Sequence, residues 1–253
     1  MAILVGNWKM NLSWAQIQEF LKEFSPALKD SKHEAWIAPQ MLHLPLMLNE
    51  RKNTKLKLGA QNCASHQNGA FTGEVSPVAL KELGADFVII GHSERRSLFH
   101  EIDSLLNQKA QLALSLGLKI IFCIGETQKE RDENKTDAVI LDQLRSGLKG
   151  LKTETLSQVL IAYEPVWAIG TGLTATPEMA QAVHQLIRRT LPELGFSDPA
   201  KTPLLYGGSV KPESLAELLS EADIDGALIG GASLKAVDFA RMMQTPALAK
   251  HRE

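Results

Sequence analysis

Glu164 stands at the end of the apolar segment Val159-Leu-Ile-Ala-Tyr163 and directly before Pro165. Proline has no N–H to give to a ladder, so a strand ends there and leaves a carboxylate at its tip. Val166, Trp167 and Ile169 follow as an apolar patch, and then come Gly170 and Gly172. Thr176-Pro177-Glu178 reads as the next helix start, with a capping hydroxyl and a proline in the first turn. A carboxylate ahead of a segment able to swing on small residues suits a base under a lid. An ordinary βα loop with one exposed acid fits the same residues.

Other reactive types recur just past apolar runs. Lys9 follows Asn7 behind Ile3-Leu-Val5, and His92 follows Phe87-Val-Ile-Ile90. A lysine at a strand end is usually just solvated. Beside a base and a bound phosphate it would attract the anion and stabilise charge developing in a transition state. A lone histidine there is commonly a structural hydrogen-bonder. If Ser93 caps a short helix over Glu94-Arg95-Arg96, however, the positive helix end faces the imidazole. That would lower the ring's pKa and keep it neutral, able to donate to an oxygen gaining charge.

Two glycine turns complete the set, Tyr206-Gly-Gly-Ser-Val210 and Ile229-Gly-Gly-Ala-Ser233. Small residues let backbone N–H groups approach phosphate oxygens, and a following helix start would add to this. Either pair alone is an ordinary tight turn. Their occurrence after the last two apolar runs favours phosphate. Glu126 reads as a structural acid, and Glu94 as either a helix-start charge or part of the site. His33, His43, His66, His100, His184 and His251 show no metal-ligand spacing, so no metal is expected.

The elements that must position these residues alternate along the whole chain. Apolar runs begin at Ile3, Ala35, Leu56, Phe87, Leu118, Val159, Pro203 and Ala227, each followed by a helical pattern. After Ser13, for example, Trp14, Ile17, Phe20, Leu21 and Phe24 recur at helical spacing. Runs that are apolar throughout suit parallel strands covered by helices. Eight βα units in 253 residues predict an α/β fold of the closed (β/α)8 barrel type, one domain over residues 1–253. In such a barrel the loops after the strands share one face, which would gather all the residues named above.

The net charge of −2, with both signs interspersed, gives no basic face for nucleic acid. Cys63 and Cys123 suit a reduced protein, with Cys123 packing as a small hydrophobe. The N-terminal apolar run is too short for a signal peptide, and none approaches the ~20 residues of a membrane span. A cytoplasmic protein is expected.

The motifs Asn7-Trp-Lys9, Gly91-His-Ser-Glu-Arg-Arg96, Ala162-Tyr-Glu-Pro-Val-Trp-Ala-Ile-Gly-Thr-Gly172, Tyr206-Gly-Gly-Ser209 and Gly230-Gly231 resemble the triosephosphate isomerase family, in order over nearly the whole chain. The resemblance implies Glu164 as base, His92 as neutral electrophile and Lys9 as substrate-binding cation. Asn7 would help form the substrate site, and Gly170, Ser209, Gly230 and Gly231 would offer N–H groups to the phosphate. It implies interconversion of dihydroxyacetone phosphate and glyceraldehyde 3-phosphate through an enediolate, without cofactor. It also implies a homodimer through residues 61–74, with Thr72 towards the partner's site. Leu173 stands where many members carry lysine, and Gln40 and Ala64-Ser-His-Gln-Asn68 also depart from commoner forms.

Two alternatives keep the phosphate corner. An aldolase-type lyase would need a Schiff-base lysine inside the barrel, and Lys119, at the start of the fifth run, is the one candidate in runs four to eight. A non-catalytic phosphosugar binder would need neither His92 nor Glu164.

Overall fold

Chain segments that are apolar on both sides become parallel strands, and all eight do so. They are β1 (Ile3–Asn7), β2 (Glu34–Ala38), β3 (Lys57–Ala60), β4 (Phe87–Ile90), β5 (Lys119–Ile124), β6 (Val159–Tyr163), β7 (Leu204–Tyr206) and β8 (Gly226–Ile229). Each pairs in parallel with the next, and β8 pairs with β1, closing the barrel. The structure, a computed structural model, describes residues 1–51, 54–170, 174–246 and 250.

Side chains alternate along each strand. Trp36, Phe87, Ile121, Cys123, Leu160 and Leu205 belong to one cluster that fills the barrel. Their neighbours Val88, Ile90, Ile161 and Leu204 belong to the larger cluster beneath the helices. Each fully buried aliphatic side chain contributes about 1.5–3 kcal/mol, so the barrel is a packed core and not a pore. Lys119 sits at the opening end of β5, exposed, with its ammonium 5.7 Å from the centre of the Trp36 ring. It lies at the strands' N-terminal end, away from the loops that follow them.

The helices carry their own start signals. Ser13 and Gln16 form a reciprocal cap on helix Trp14–Lys29, which buries Ile17, Phe20, Phe24 and Leu28 at three-to-four spacing. Phe24 stacks on Phe239 of the last helix, Ala236–Met243, with ring centroids 5.0 Å apart. First and last helices are thereby neighbours, and the outer ring closes as the barrel does. Thr176 caps helix Pro177–Thr190 as the sequence indicates, and Ser76 caps helix Pro77–Glu82.

Two helix boundaries are set by local chemistry. The helix after β6 becomes a 3-10 turn at Leu191–Leu194, where Pro192 has no N–H to continue the α ladder. The helix after β7 starts only at Leu215. Ser214 Oγ accepts the Lys211 N–H and donates to the Lys211 carbonyl, holding Lys211–Ser214 as a turn instead. Among the described residues no helix is long and apolar enough to cross a membrane.

Candidate active site

The strand ends converge on one cavity of about 360 Å³, lined by Asn7, Lys9, His92, Glu164, Gly170, Ser209, Gly230 and Gly231. Every site residue expected from the sequence lines it. Ile169, Lys211 and Leu228 line it as well and were not expected.

Glu164 leaves β6 with its backbone N–H donating to Ile124 O at 2.7 Å. Its side chain is buried. Oε2 accepts the Ser93 N–H at 2.8 Å. Oε1 lies 3.0 Å from His92 Nε2 without meeting hydrogen-bond geometry, so this buried oxygen has no directed partner. Gly207, past β7, packs directly on Glu164. A Cβ there would stand 2.7 Å from Glu164 Cγ, closer than real contacts allow.

The histidine is held differently from the sequence expectation. His92 itself, not Ser93, caps helix Ser93–Leu98, with Nδ1 accepting the Glu94 N–H at 3.2 Å. An accepting Nδ1 leaves the proton of a neutral ring on Nε2, facing Glu164. The expected lowering of the His92 pKa does not hold in this arrangement. Burial is the largest single influence and pushes it down, but the charge of Glu164, its contact with the imidazole and the charge of Glu94 together outweigh burial, and the pKa lies above its ordinary value. Lys9 opposes that rise. The helix start acts as foreseen on Nδ1, but the carboxylate against Nε2 decides the direction.

Lys9 adopts φ 49°, a left-handed backbone that costs a non-glycine residue energy and persists where neighbours over-determine it. Its N–H donates to Asn7 Oδ1 at 3.1 Å, and its carbonyl accepts Gln61 Nε2 at 2.7 Å. Its ammonium meets Glu94 Oε1 at 2.6 Å. Glu94 therefore belongs to the site, as the carboxylate that holds Lys9.

Towards the glycine turns, Gly230 lies close enough that a Cβ on it would stand 3.8 Å from Lys9 Cε. The chain leaves Gly230 in a single 3-10 turn, Gly231–Leu234. The helix after β7 starts well beyond Ser209, at Leu215, so the helix start nearest the two glycine turns is this short 3-10 turn at Gly231. The Ser209 N–H donates to Ala168 O at 3.2 Å, tying the β7 loop to the base of the β6 loop. To serve a phosphate it must be shared or released.

In the β6 loop, Val166–Ala168 forms a 3-10 turn and Gly170 takes φ 70°. Thr171, Gly172 and Leu173 lie outside the described residues. Glu126, fully buried, is the structural acid expected: Oε1 accepts Tyr163 OH at 3.1 Å and Trp167 Nε1 at 2.9 Å. Cys123 is buried, and that burial pushes its thiol pKa well up, which makes it inert. Arg96, which had no assigned role, bridges Gly91 O and Cys123 O at 2.9 and 3.0 Å and so fixes the turn that carries His92.

The family model for triosephosphate isomerase matches residues 2–246. The chain belongs to the triosephosphate isomerase family. It is 48% identical over 242 residues to the triosephosphate isomerase of Caldanaerobacter subterraneus subsp. tengcongensis, covering 95% of this chain and 98% of that one. Against the triosephosphate isomerase of Herpetosiphon aurantiacus it is 47% identical over 244 residues, covering 96% and 98%. Against that of Clostridium botulinum strain Okra it is 45% identical over 243 residues, again covering 96% and 98%. Membership of the triosephosphate isomerase family agrees with the position of Lys119, which is exposed at the barrel's opposite end and unable to reach a substrate in this cavity. Among the described residues no group of three or more His, Cys, Asp or Glu side chains is arranged to hold a metal ion.

Proposed function

We propose that this protein interconverts dihydroxyacetone phosphate and D-glyceraldehyde 3-phosphate, a step shared by glycolysis and gluconeogenesis, in the cytoplasm. The observation that carries this reading is the 3.0 Å approach of Glu164 Oε1 to His92 Nε2 on the wall of a cavity that also holds Lys9 and two glycine turns. A base and a donor meet there at one point, beside a corner that suits phosphate.

Glu164 takes a carbon-bound proton next to the substrate carbonyl, giving an enediolate. His92 Nε2–H and Lys9 stabilise its oxygens, a proton passes from the first hydroxyl oxygen to the second by way of His92, and Glu164 returns the carbon proton at the neighbouring carbon. Substrate entering between Oε1 and Nε2 parts the carboxylate from the imidazole. Burial and the Lys9 charge are then the chief influences left on His92, and both lower its pKa and favour the neutral donor. Asn7 helps shape the substrate site. Gly170, Ser209, Gly230 and Gly231 present N–H groups to the phosphate. Closure of the segment from Pro165 keeps water out and disfavours phosphate loss from the intermediate. A proton shuttle of this kind calls for no cofactor.

The working unit is a homodimer of single barrel domains. Met10, Leu42, Phe71, Leu98, Phe99 and Ile102 are exposed apolar side chains in the loops after β1 to β4, consecutive strands of the barrel. Such a concentration marks an interaction surface. Among these loops, residues 61–74 are pre-ordered. Ala64 N–H donates to Val75 O at 2.8 Å, and the His66 and Phe71 rings stack at 4.1 Å. Thr72, within this segment, would reach towards the partner's site. Light scattering at micromolar concentration tests this, and a fully active monomer overturns it.

The activity is tested by adding dihydroxyacetone phosphate to folded protein and coupling to a dehydrogenase specific for the aldehyde product. Turnover is expected, and none from a folded sample overturns the reading.

A further inference from the structure

Gly125 directly follows β5 and is buried, so its N–H and its carbonyl both need partners inside the protein. The pairing of β5 with β6 ends one residue earlier, at Ile124 and Tyr163. Among the described residues one side chain meets both groups, the carboxamide of Gln143. Its Oε1 accepts the Gly125 N–H at 2.8 Å, and its Nε2 donates to the Gly125 carbonyl at 3.1 Å. Gln143 lies on helix Thr136–Gly147, in the layer outside the barrel. A neutral carboxamide carries a donor and an acceptor side by side, as this bracket demands.

The bracketed peptide sits between two supports of the site. Ile124 O accepts the Glu164 N–H at 2.7 Å, and Glu126 O accepts the Val166 N–H at 3.1 Å. Glu126 Oε1 also accepts Trp167 Nε1 at 2.9 Å. Gly125 itself lies against the Glu164 backbone, so close that a Cβ on it would overlap the Glu164 carbonyl oxygen. Residues 124–126 are therefore a shelf that carries the Glu164 backbone and the start of the β6 loop. Gln143 ties the middle of that shelf to the helix layer. It does not line the cavity, so whatever it does for the reaction it does through other residues.

We propose that Gln143 is a positioning residue for the base: by bracketing the Gly125 peptide it sets where Glu164 and the first residues of the β6 loop stand. The proposal rests on the isomerase reading with Glu164 as base. Its test compares kcat and KM of wild type, Gln143→Met and Gln143→Glu from slightly acid to slightly alkaline pH. Methionine keeps the length of the side chain and supplies neither bond. A fall of about tenfold in kcat is expected, with KM changed much less. In Gln143→Glu a carboxylate would still accept the Gly125 N–H but would face the Gly125 carbonyl, oxygen against oxygen. That opposition and partial burial raise its pKa, and the protonated carboxyl again accepts with one oxygen and donates with the other. The ratio of Gln143→Glu kcat to wild-type kcat should therefore climb as pH falls, the titration of the shared site groups cancelling in the ratio. A merely structural role would lower the melting temperature and leave that ratio flat. A folded Gln143→Met enzyme with wild-type kcat overturns the proposal, and so does a Gln143→Glu ratio that fails to rise. If methionine prevents folding, the glutamate ratio decides alone. Failure of the isomerase reading would show differently, as no triose turnover by wild type, and failure of the base assignment as full activity in Glu164→Gln.

Discussion

Ser93 and Glu164 are joined by a hydrogen bond from the Ser93 N–H to Glu164 Oε2 at 2.8 Å, which fixes one carboxylate oxygen and leaves Oε1 for chemistry. A base held by one oxygen keeps its direction, while the other keeps a free lone pair. Because the donor is backbone, Ser93→Ala should be close to silent. Ser93→Pro removes the N–H at the first position of a helix, where proline is tolerated, and the extended backbone of His92 suits a following proline. The expected outcome is a folded enzyme whose kcat falls about 10- to 100-fold, read by steady-state kinetics beside circular dichroism.

Gly207→Ala tests the same base from the other side. Its Cβ would collide with Glu164 Cγ at 2.7 Å and press on Tyr163 O at 3.1 Å, so the carboxylate has to move. A displacement near 1 Å at a reacting group costs on the order of 10²-fold. The fall is expected in kcat, with KM changed much less.

His92 carries a pH signature. Glu164 holds its pKa above the ordinary 6.5 in the free enzyme, so protonation sets in at a higher pH than for an unperturbed ring. In Glu164→Gln the raising charge is gone, and burial and Lys9 are left to push the pKa down. Nitrogen NMR titration of His92 should show a lower midpoint in the variant than in wild type. An unchanged midpoint would break the link between the two groups.

A second buried histidine sets stability rather than activity. His184 is fully buried against the Tyr163 ring, and burial drives its pKa down to about 3. The folded state thus binds the proton less well than the unfolded chain, whose histidine titrates near 6.5. Stability from this group is complete above pH 6.5 and is lost as pH falls towards 3, at about 1.4 kcal/mol per unit. His184→Gln should flatten the dependence of unfolding free energy on pH in that window, as measured by urea melts.

The barrel was legible because strands buried on both faces write continuous apolar runs, and parallel βα units leave few other ways to close. The site was legible because Glu164, His92, Lys9 and the glycine turns all fall just past those runs. The features that stayed hidden depend on contacts through space. The left-handed Lys9 is only half local: Asn7, two residues before it, accepts its N–H, but Gln61 holds its carbonyl only once β1 to β3 are assembled. The cap at His92 looked like Ser93 because hydroxyls are the commoner caps, whereas here an imidazole nitrogen takes the bond. The direction of the His92 pKa turned on Glu164, a residue distant in sequence and adjacent only in the fold.

The most direct measurement is kcat for triose phosphate isomerisation by wild type and Glu164→Gln, side by side, with both shown folded by circular dichroism. Glutamine keeps the shape of the side chain and removes its capacity to take a proton. The expected result is rapid turnover by wild type and a loss of about 10²–10⁴-fold in the variant, the usual worth of a general base. A Glu164→Gln enzyme that turns over at the wild-type rate would contradict Glu164 as the base.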